Sequence, residues 1–418
     1  GPSGGVSGGL FVAQAVGLPD ILTLDMGGTS TDVSLCLGGQ PILQREVQLD
    51  YHVIRAPAID VRSVGAGGGS IAYVPTLTRA LRVGPQSAGA DPGPACYNRG
   101  GQEATVTDAH LVLGHLPSEL LGGEMPLNVD AAHQAVERIA RALGMDVLRA
   151  AEGIIAVANE HMFGALRLVS VERGYDPRNF ALVAFGGAGP LHANFLAQLL
   201  GSWPVLIPPS PGVLSALGNL CSDFRNEFAR TFVRRLDELR DGELNGVLRS
   251  LGEEAQHWLT REGIGADRQE ILYHVDVRYY RQGLEISLEV DPADLSDDGV
   301  AELASRFGES HERLYRFKLD TPCEVVNVRA VGVGRTRRLE LPQVAEGPKD
   351  LSEAVVEVRR IYHGGRFLEA PVYDRSRLGY GNRLPGPAIV TEMDSTSLIL
   401  PEHVGEVDTV GNLLIRPG

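Results

Sequence analysis

The sequence predicts an α/β protein in two parts, and three observations carry that prediction. Short apolar runs of strand length end in paired glycines, as at 21–25 before Gly27-Gly28 and at 180–185 before Gly186-Gly187. Between them lie longer stretches whose apolar residues recur with helical period. From about residue 225 glycine thins out, and charged helical stretches alternate with β-rich runs. The expected domains are therefore 1–224, a ligand-binding α/β domain, and 225–418, a β-rich α+β domain. The boundary follows the loop Pro208-Pro209-Ser210-Pro211-Gly212.

The elements are expected in this order. The opening stretch, 1–9, is glycine-rich and has no Met, and it reads as a loop cut from inside a larger protein. Residues 21–25 form a buried strand. A turn at Gly27-Gly28, a strand at 31–37, a hairpin at Gly38-Gly39 and a strand at 42–49 complete a β-meander. Residues 131–143 form an amphipathic helix with Asp130 as N-cap, and 147–171 a long helix rich in small residues. A buried strand at 180–185 and a helix at 190–200 follow. In the second part, helices are expected at 243–262 and 300–315, and strands at 271–290, 325–333, 355–362 and 388–400. Tyr279 and Tyr280 alternate between core and surface.

Composition narrows the function. With 38 basic and 53 acidic residues the net charge is −15, which argues against nucleic acid or an anionic membrane as partner. No uninterrupted apolar run reaches the roughly 18–20 residues of a membrane span, and no secretory signal is visible. Cys36, Cys96, Cys221 and Cys323 are widely spaced and form no C-x-x-C, a pattern that suits neither a disulfide framework nor a zinc knuckle. The expected location is cytoplasmic.

The sharpest chemical feature is Asp25-Met26-Gly27-Gly28-Thr29-Ser30-Thr31-Asp32. A carboxylate ends a buried strand, two glycines allow a tight turn, and hydroxyls follow. Phosphate binding needs closely approaching backbone N–H groups and hydroxyl donors. A neighbouring carboxylate can hold Mg2+, usually through water. No Lys follows, so this is no P-loop; a strand follows where a Rossmann loop needs a helix. A strand, a Gly-Gly hairpin and a second strand with Asp just before the turn resemble the phosphate motif of the actin, sugar kinase and Hsp70 superfamily (ribonuclease H-like). The second feature is Gly186-Gly187-Ala188-Gly189 between a strand and a helix; in that superfamily such a junction holds adenosine. The third is Gly67-Gly68-Gly69, where the backbone can approach a ligand closely. His192 begins the helix after the second glycine turn, where an imidazole can move protons. Asp108 and His110 lie close in sequence, but two candidate ligands do not make a metal site.

Longer stretches resemble the hydantoinase A / 5-oxoprolinase family across nearly the whole chain: DMGGTSTDVS (25–34), SVGAGGGSIAYV (63–74), LRVGPQSAGADPGPACYNRGG (81–101), TVTDAHLVLG (105–114), ERGYDPRNFALVAFGGAGPLHA (172–193), IPPSPGVLSALG (207–218), VDVRYYRQGLEISL (275–288) and PVYDRSRLGYGNRLPGPAIVTEMDST (371–396). The family includes ATP-dependent hydantoinase and lactam hydrolase subunits and acetone or acetophenone carboxylase subunits. The resemblance implies ATP-driven phosphorylation of an amide or ketone oxygen, and in a cyclic amide subsequent ring opening by water. It implies ATP and Mg2+ as cofactors and a hydantoinase B-type partner subunit. Family members also carry a further D-x-G-G-T-x-T-D hairpin in an N-terminal domain. Only one such hairpin occurs here, so this chain alone is expected to show little turnover, because catalysis needs reacting groups fixed within a fraction of an ångström.

The implied roles are as follows. Gly27, Gly28, Thr29, Ser30 and Thr31 cradle phosphate. Asp25 holds Mg2+ through water and is the first catalytic candidate; His192 is the second. Asp32 either orients Thr31 or closes the hairpin. Gly186, Gly187 and Gly189 face adenosine, and Gly67, Gly68 and Gly69 line the nucleotide or substrate cleft. A ketone carboxylase subunit and a non-catalytic nucleotide-binding scaffold are the alternatives.

Overall fold

The computed structural model describes residues 1–49, 52–240, 242–295, 297–336 and 339–418. It divides into two compact units, Gly1–Cys221 with Leu339–Gly418, and Ser222–Arg338.

The first unit is built on a nine-stranded mixed sheet. Three neighbouring strands, Ile21–Met26, Ala181–Phe185 and Val205–Ile207, run parallel. Both faces of these strands are covered, which is why their sequences are nearly continuous apolar runs. Leu22, Leu24 and Met26 face one core with the helices Val129–Leu143 and Val147–Val169. Ile21, Val183 and Phe185 face another with the helices Pro2–Ala15 and Leu214–Cys221. Thr31–Leu37 pairs antiparallel with Ile21–Met26, so the expected hairpin is present.

The strand Leu413–Pro417 lies antiparallel beside Val205–Ile207. The expected second domain, 225–418, is thereby divided. Val205, Leu206 and Ile207 are fully buried, and an open edge beside them would leave unpaired backbone groups next to apolar side chains. Leu413 and Ile415, themselves fully buried, close that edge. The same returning segment contributes a four-stranded sheet of Val355–His363, Arg366–Asp374, Ala388–Thr391 and Thr396–Ile399.

The second unit is an antiparallel sheet in the order Phe224–Arg235, Cys323–Gly334, Gln269–Tyr279, Ile286–Val290. The helices Glu243–Arg261 and Asp297–Tyr315 accompany it. Leu248, Ala255, Val275, Val277, Phe307 and Val328 form its core. The run expected as one strand at 271–290 is two strands; the chain turns at Arg281, whose φ is 65°. Tyr279 is in the core and its hydroxyl accepts from the Leu319 N–H at 2.9 Å. Tyr280 lies outside, with the Arg235 and Arg281 guanidinium carbons 5.4 and 5.0 Å from its ring centre.

Two local expectations are corrected. The helix expected to start after Asp130 starts at Val129, with Asn128 as its cap: the Asn128 side chain accepts from the Ala131 N–H at 3.0 Å. The helix Val147–Val169 has the length and composition of a membrane span. Yet Ile154, Ala158, Met162 and Leu166 are core residues, while Glu160, His161 and Arg167 are exposed, as in an amphipathic core helix. The glycine-rich start is the helix Pro2–Ala15, not a loop. Its glycines permit backbone contact with Leu214–Cys221: a Cβ on Gly218 would lie 1.7 Å from the Gly4 carbonyl oxygen, and one on Gly8 would lie 2.7 Å from that of Leu214. Glycine costs helix propensity, and here it gains an interface that larger residues would force apart.

Gly218→Ala should therefore destabilise the protein by about 1–3 kcal/mol through overpacking. Gly164→Ala, at a helical position with no atom within 4 Å of the added Cβ, should stabilise it by about 0.4–1 kcal/mol. Urea unfolding midpoints read both; equal shifts at the two positions would contradict the packing argument.

Candidate nucleotide-binding site

The three parallel strands end on the same side of the sheet, and the glycine turns continue from those ends. Ligands in α/β sheets gather beyond such carboxyl ends. Asp25, on Ile21–Met26, stands opposite Asp32 across the hairpin. Burial pushes the Asp25 carboxyl up from its ordinary value, and the like charge of Asp32 adds to this; the Ser215 hydroxyl, donating to Asp25 Oδ2 at 3.3 Å, opposes both. Two carboxylates facing each other at one strand end could form the acidic part of a Mg2+–phosphate site. Asp32 also accepts from the Ser63 hydroxyl, tying the hairpin to the adjoining strand Val61–Val64.

The glycines separate into two groups. Gly27 and Gly28 have negative φ, and a Cβ on either would meet no atom within 4 Å. Gly28 and Thr29 are exposed. Neither backbone conformation nor internal packing calls for glycine at 27 or 28. Gly187 is nearly as open, its nearest neighbour being the Asp394 carbonyl oxygen at 3.5 Å.

The other glycines are required by the fold, and several assigned roles change accordingly. A Cβ on Gly67 would lie 2.6 Å from the backbone of Gly28 and Thr29. Gly68 and Gly69 donate their N–H groups to the Gly27 and Gly28 carbonyls at 3.0 and 2.6 Å. All three are buried behind the turn at 27–29 and do not line a cleft. Gly186 has φ 79°, and its Cβ would lie 2.4 Å from the Met26 oxygen and 2.6 Å from Asp25 Oδ1. Gly189 is buried in the first turn of the helix Gly189–Leu200, with Leu24 O 3.3 Å from its would-be Cβ, so it serves helix–strand packing and not adenosine. Thr31 is fully buried and donates its hydroxyl to the Ala66 carbonyl at 2.5 Å, which removes it from the phosphate donors. Thr29 and Ser30 remain on the turn.

His192 is also corrected: it is fully buried, with both ring nitrogens engaged. Its Nε2 is 3.1 Å from His110 Nε2, whose Nδ1 is 3.1 Å from His115 Nδ1. The chain ends at the Tyr362 carbonyl, 3.3 Å from His115 Nε2, and at the Asn159 amide, 2.7 Å from His192 Nδ1. Burial lowers all three imidazoles, His115 to about 4 and His192 to about 3. They are neutral near pH 7. Four links need four protons and three neutral rings supply three; the atom facing His192 Nδ1 is Asn159 Oδ1, an acceptor, so the fourth link is satisfied only with the Asn159 amide turned over so that its NH2 donates. Asp108, paired with His110 in the sequence reading, is a capping residue: it accepts from the N–H groups of Ala95, Cys96 and Thr105 and from the Thr105 hydroxyl. Among the described residues no group of three or more His, Cys, Asp or Glu is placed to hold a metal.

The returning segment, expected from sequence as strands of a separate domain, meets the glycine turns directly. Glu392 accepts from the Ser210 N–H at 2.9 Å and pairs with the buried Arg375 at 2.6 Å. Asp394 accepts from the Gly212 N–H at 2.9 Å, and the Ser395 hydroxyl donates to the Gly187 carbonyl at 3.3 Å. The run Glu392-Met393-Asp394-Ser395-Thr396 lies in a family-like stretch but carries no local signal linking it to Gly187.

Comparison with known proteins agrees with this architecture. Residues 1–228 match the hydantoinase/oxoprolinase family, and residues 237–409 match the hydantoinase/oxoprolinase C-terminal domain. This chain belongs to the hydantoinase/oxoprolinase family. It is 38% identical to caprolactamase subunit alpha of Pseudomonas jessenii, over all of this chain and 61% of that protein. It is 33% identical to 5-oxoprolinase 1 of Arabidopsis thaliana, again over all of this chain but 34% of that protein. The crystal structure of the ATP-dependent caprolactamase superposes with a TM-score of 0.85, covering 100% of this chain and 62% of its counterpart at 38% identity. Nucleotide-free acetone carboxylase gives 0.83 at 26% identity, over 99% of this chain and 61% of its counterpart. The chain thus spans less than two thirds of these relatives.

The histidine chain sets a pH dependence. In the unfolded state each imidazole takes up a proton near its ordinary value of 6.5, whereas folded His115 does so only at about 4. Below pH 6.5 the unfolded state binds more protons, so stability falls as pH drops towards 4, by on the order of 3 kcal/mol from His115 alone. Urea titrations from pH 7 to 4 should show a shallower loss for His115→Gln than for the wild type; parallel curves would contradict the assignment.

Proposed function

We propose that this chain contributes one half of an actin-type ATP site to an ATP-dependent cyclic-amide hydrolase. The observation that carries this reading is the pair Gly27 and Gly28, glycines that the fold does not require, open beyond a strand end beside Asp25 and Asp32. Glycine that is unnecessary inside the protein makes sense where a ligand approaches the backbone from outside. In this reading Gly27, Gly28, Thr29 and Ser30 receive phosphate, and Asp25, with Asp32 opposite, holds Mg2+ through water. The metal would neutralise phosphate charge during transfer.

The proposed reaction is phosphorylation of the amide oxygen of a ring substrate. That turns an unreactive amide into an imidate-like phosphate whose carbon water can attack, with ring opening and phosphate release. This chain's contribution is to hold and orient the nucleotide. The remaining phosphate contacts belong to a second lobe carrying the family's other D-x-G-G-T-x-T-D hairpin. Ring opening is assigned to the assembly with a hydantoinase B-type subunit in the cytoplasm. Support for amide chemistry comes from caprolactamase subunit alpha, 38% identical over the whole chain. The likeness to acetone carboxylase supports a ketone carboxylase subunit as the second reading.

Gly28→Ala tests the site. Because its added Cβ meets nothing, the melting temperature should stay within about 2 °C of the wild type. Nucleotide affinity in the full-length protein should fall at least tenfold, measured by calorimetric titration with ATP–Mg2+. Unchanged affinity would overturn the placement of phosphate. Phosphate release by the full-length protein and its partner, driven by a lactam or hydantoin, supports the hydrolase; release driven only by a ketone with bicarbonate replaces it with the carboxylase reading.

A further inference from the structure

The returning C-terminal segment builds a wall against the strand-end turns. Residues 392–395 form a tight turn, closed by the Glu392 N–H donating to the Ser395 carbonyl at 2.9 Å. Side chains of this turn grip two different loops. Glu392 and Asp394 take the N–H groups of Ser210 and Gly212, each at 2.9 Å, and Ser395 donates to the Gly187 carbonyl at 3.3 Å. The gripped loop in turn holds the glycine turn, since the Gly186 N–H donates to the Pro211 carbonyl at 2.9 Å. Ser210 has φ 50°, a left-handed conformation unfavourable for Ser. The carboxylate of Glu392 on its N–H helps to hold it there.

The polar groups of this turn are not equally occupied. Both Glu392 oxygens are engaged, Oε1 by Arg375 and Oε2 by the Ser210 N–H. Arg375 is itself fixed by the Ile207 and Gly411 carbonyls at 2.8 and 2.9 Å, so the pair anchors the turn to the end of the third parallel strand. The Ser395 hydroxyl is engaged by Gly187. Asp394 uses only Oδ2, and Oδ1 has no hydrogen-bond donor among the described residues. Asp394 is half-buried, and its backbone carbonyl is the nearest atom to the open face of Gly187. The Asp394 backbone carbonyl thus borders Gly187, the glycine that a nucleoside would approach, and its carboxylate, held through Oδ2 by Gly212 on the neighbouring turn, keeps one oxygen unused.

We propose that the 392–395 turn is the nucleoside wall of the site and that Asp394 Oδ1 accepts a hydrogen bond from a ribose hydroxyl. This rests on the nucleotide reading given above and adds its specificity. A carboxylate accepts and cannot donate, so it favours a nucleoside triphosphate with free ribose hydroxyls. It disfavours a deoxyribonucleotide, which lacks the donor, and a 2′-phosphorylated nucleotide, whose charge it repels. Asp394 is the specificity residue; Glu392, Arg375 and Ser395 are positioning residues.

The test is equilibrium binding of ATP, 2′-deoxy-ATP and 3′-deoxy-ATP, each with Mg2+, to the full-length protein and to its Asp394→Ala and Asp394→Asn variants. The wild type should bind ATP about tenfold more tightly than at least one deoxynucleotide, the expected value of one hydrogen bond to a charged group. Asp394→Ala should weaken ATP to the level of that deoxynucleotide and leave the deoxynucleotide unchanged. Asp394→Asn keeps an oxygen for the Gly212 N–H and should keep the wild-type melting temperature, while the uncharged NH2 in place of Oδ1 should leave less discrimination than the carboxylate gives. Equal binding of all three nucleotides by the wild type would overturn the proposal, even if no variant folds. So would a variant that weakens all three equally, since that marks a structural role only. A wild type that binds none of them would overturn the nucleotide reading itself, an outcome distinct from binding without discrimination.

Discussion

The candidate site depends on one backbone-to-backbone contact. The turn at Gly27, Gly28 and Thr29 lies directly against the loop at Gly67, Gly68 and Gly69, with the Gly68 and Gly69 N–H groups donating to the turn's carbonyls at 3.0 and 2.6 Å. Those carbonyls are then occupied and point inward. Thr107 reinforces the loop from behind, its N–H and hydroxyl both donating to the Gly68 carbonyl, at 2.8 and 2.9 Å. A turn built of glycine and exposed at its tip loses much entropy on ordering. Here a second glycine loop, capped by the helix Val106–Val112, orders it before any ligand arrives. Preorganisation of this kind lowers the cost of binding.

The same contact explains how the sheet serves the site. Its three parallel strands present Asp25, Gly187 and the 210–212 loop at one end, and each turn is tied to another part of the chain. The first is held by the 67–69 loop, the second by Ser395, the third by Glu392 and Asp394. The last two holders come from the segment that closes the sheet edge beside Val205–Ile207. Closing that edge and walling the site are one structural act: the segment is anchored by the burial of Leu413 and Ile415, and its 392–395 turn is carried with it.

Much of the first unit was legible in the sequence because its signals are local. The apolar runs at 21–25 and 180–185, the Gly-Gly hairpin and the long helix at 147–169 each state their structure within one window. The helix at Pro2–Ala15 was not legible, because helix-packing glycine and loop glycine look alike until the opposing surface is known. The strand Leu413–Pro417 could be recognised as apolar, but not as the partner of Val205–Ile207, some 200 residues earlier. His192 failed for a related reason. Its sequence position, next to a glycine turn, suggested chemistry. Only the fold reveals that His110, His115 and Asn159 enclose it in a neutral hydrogen-bonded chain.

Glycine itself gives the clearest physical discrimination. Of the eight glycines proposed from sequence to meet a ligand, Gly67, Gly68, Gly69, Gly186 and Gly189 have an internal reason to be glycine: a backbone or hydroxyl within about 3.3 Å of the missing Cβ, or a positive φ. Such a residue is required whether or not a ligand exists, so its identity says little about binding. Gly27, Gly28 and Gly187 lack any such reason. Retaining glycine there costs conformational entropy with no return inside the protein. In the proposed reading the return comes from a ligand approaching from outside, and those three positions lie at the ends of adjacent parallel strands. A ligand long enough to contact both turns at once, with a compact anionic end over Gly28 and a larger body beside Gly187, is what a nucleoside triphosphate provides.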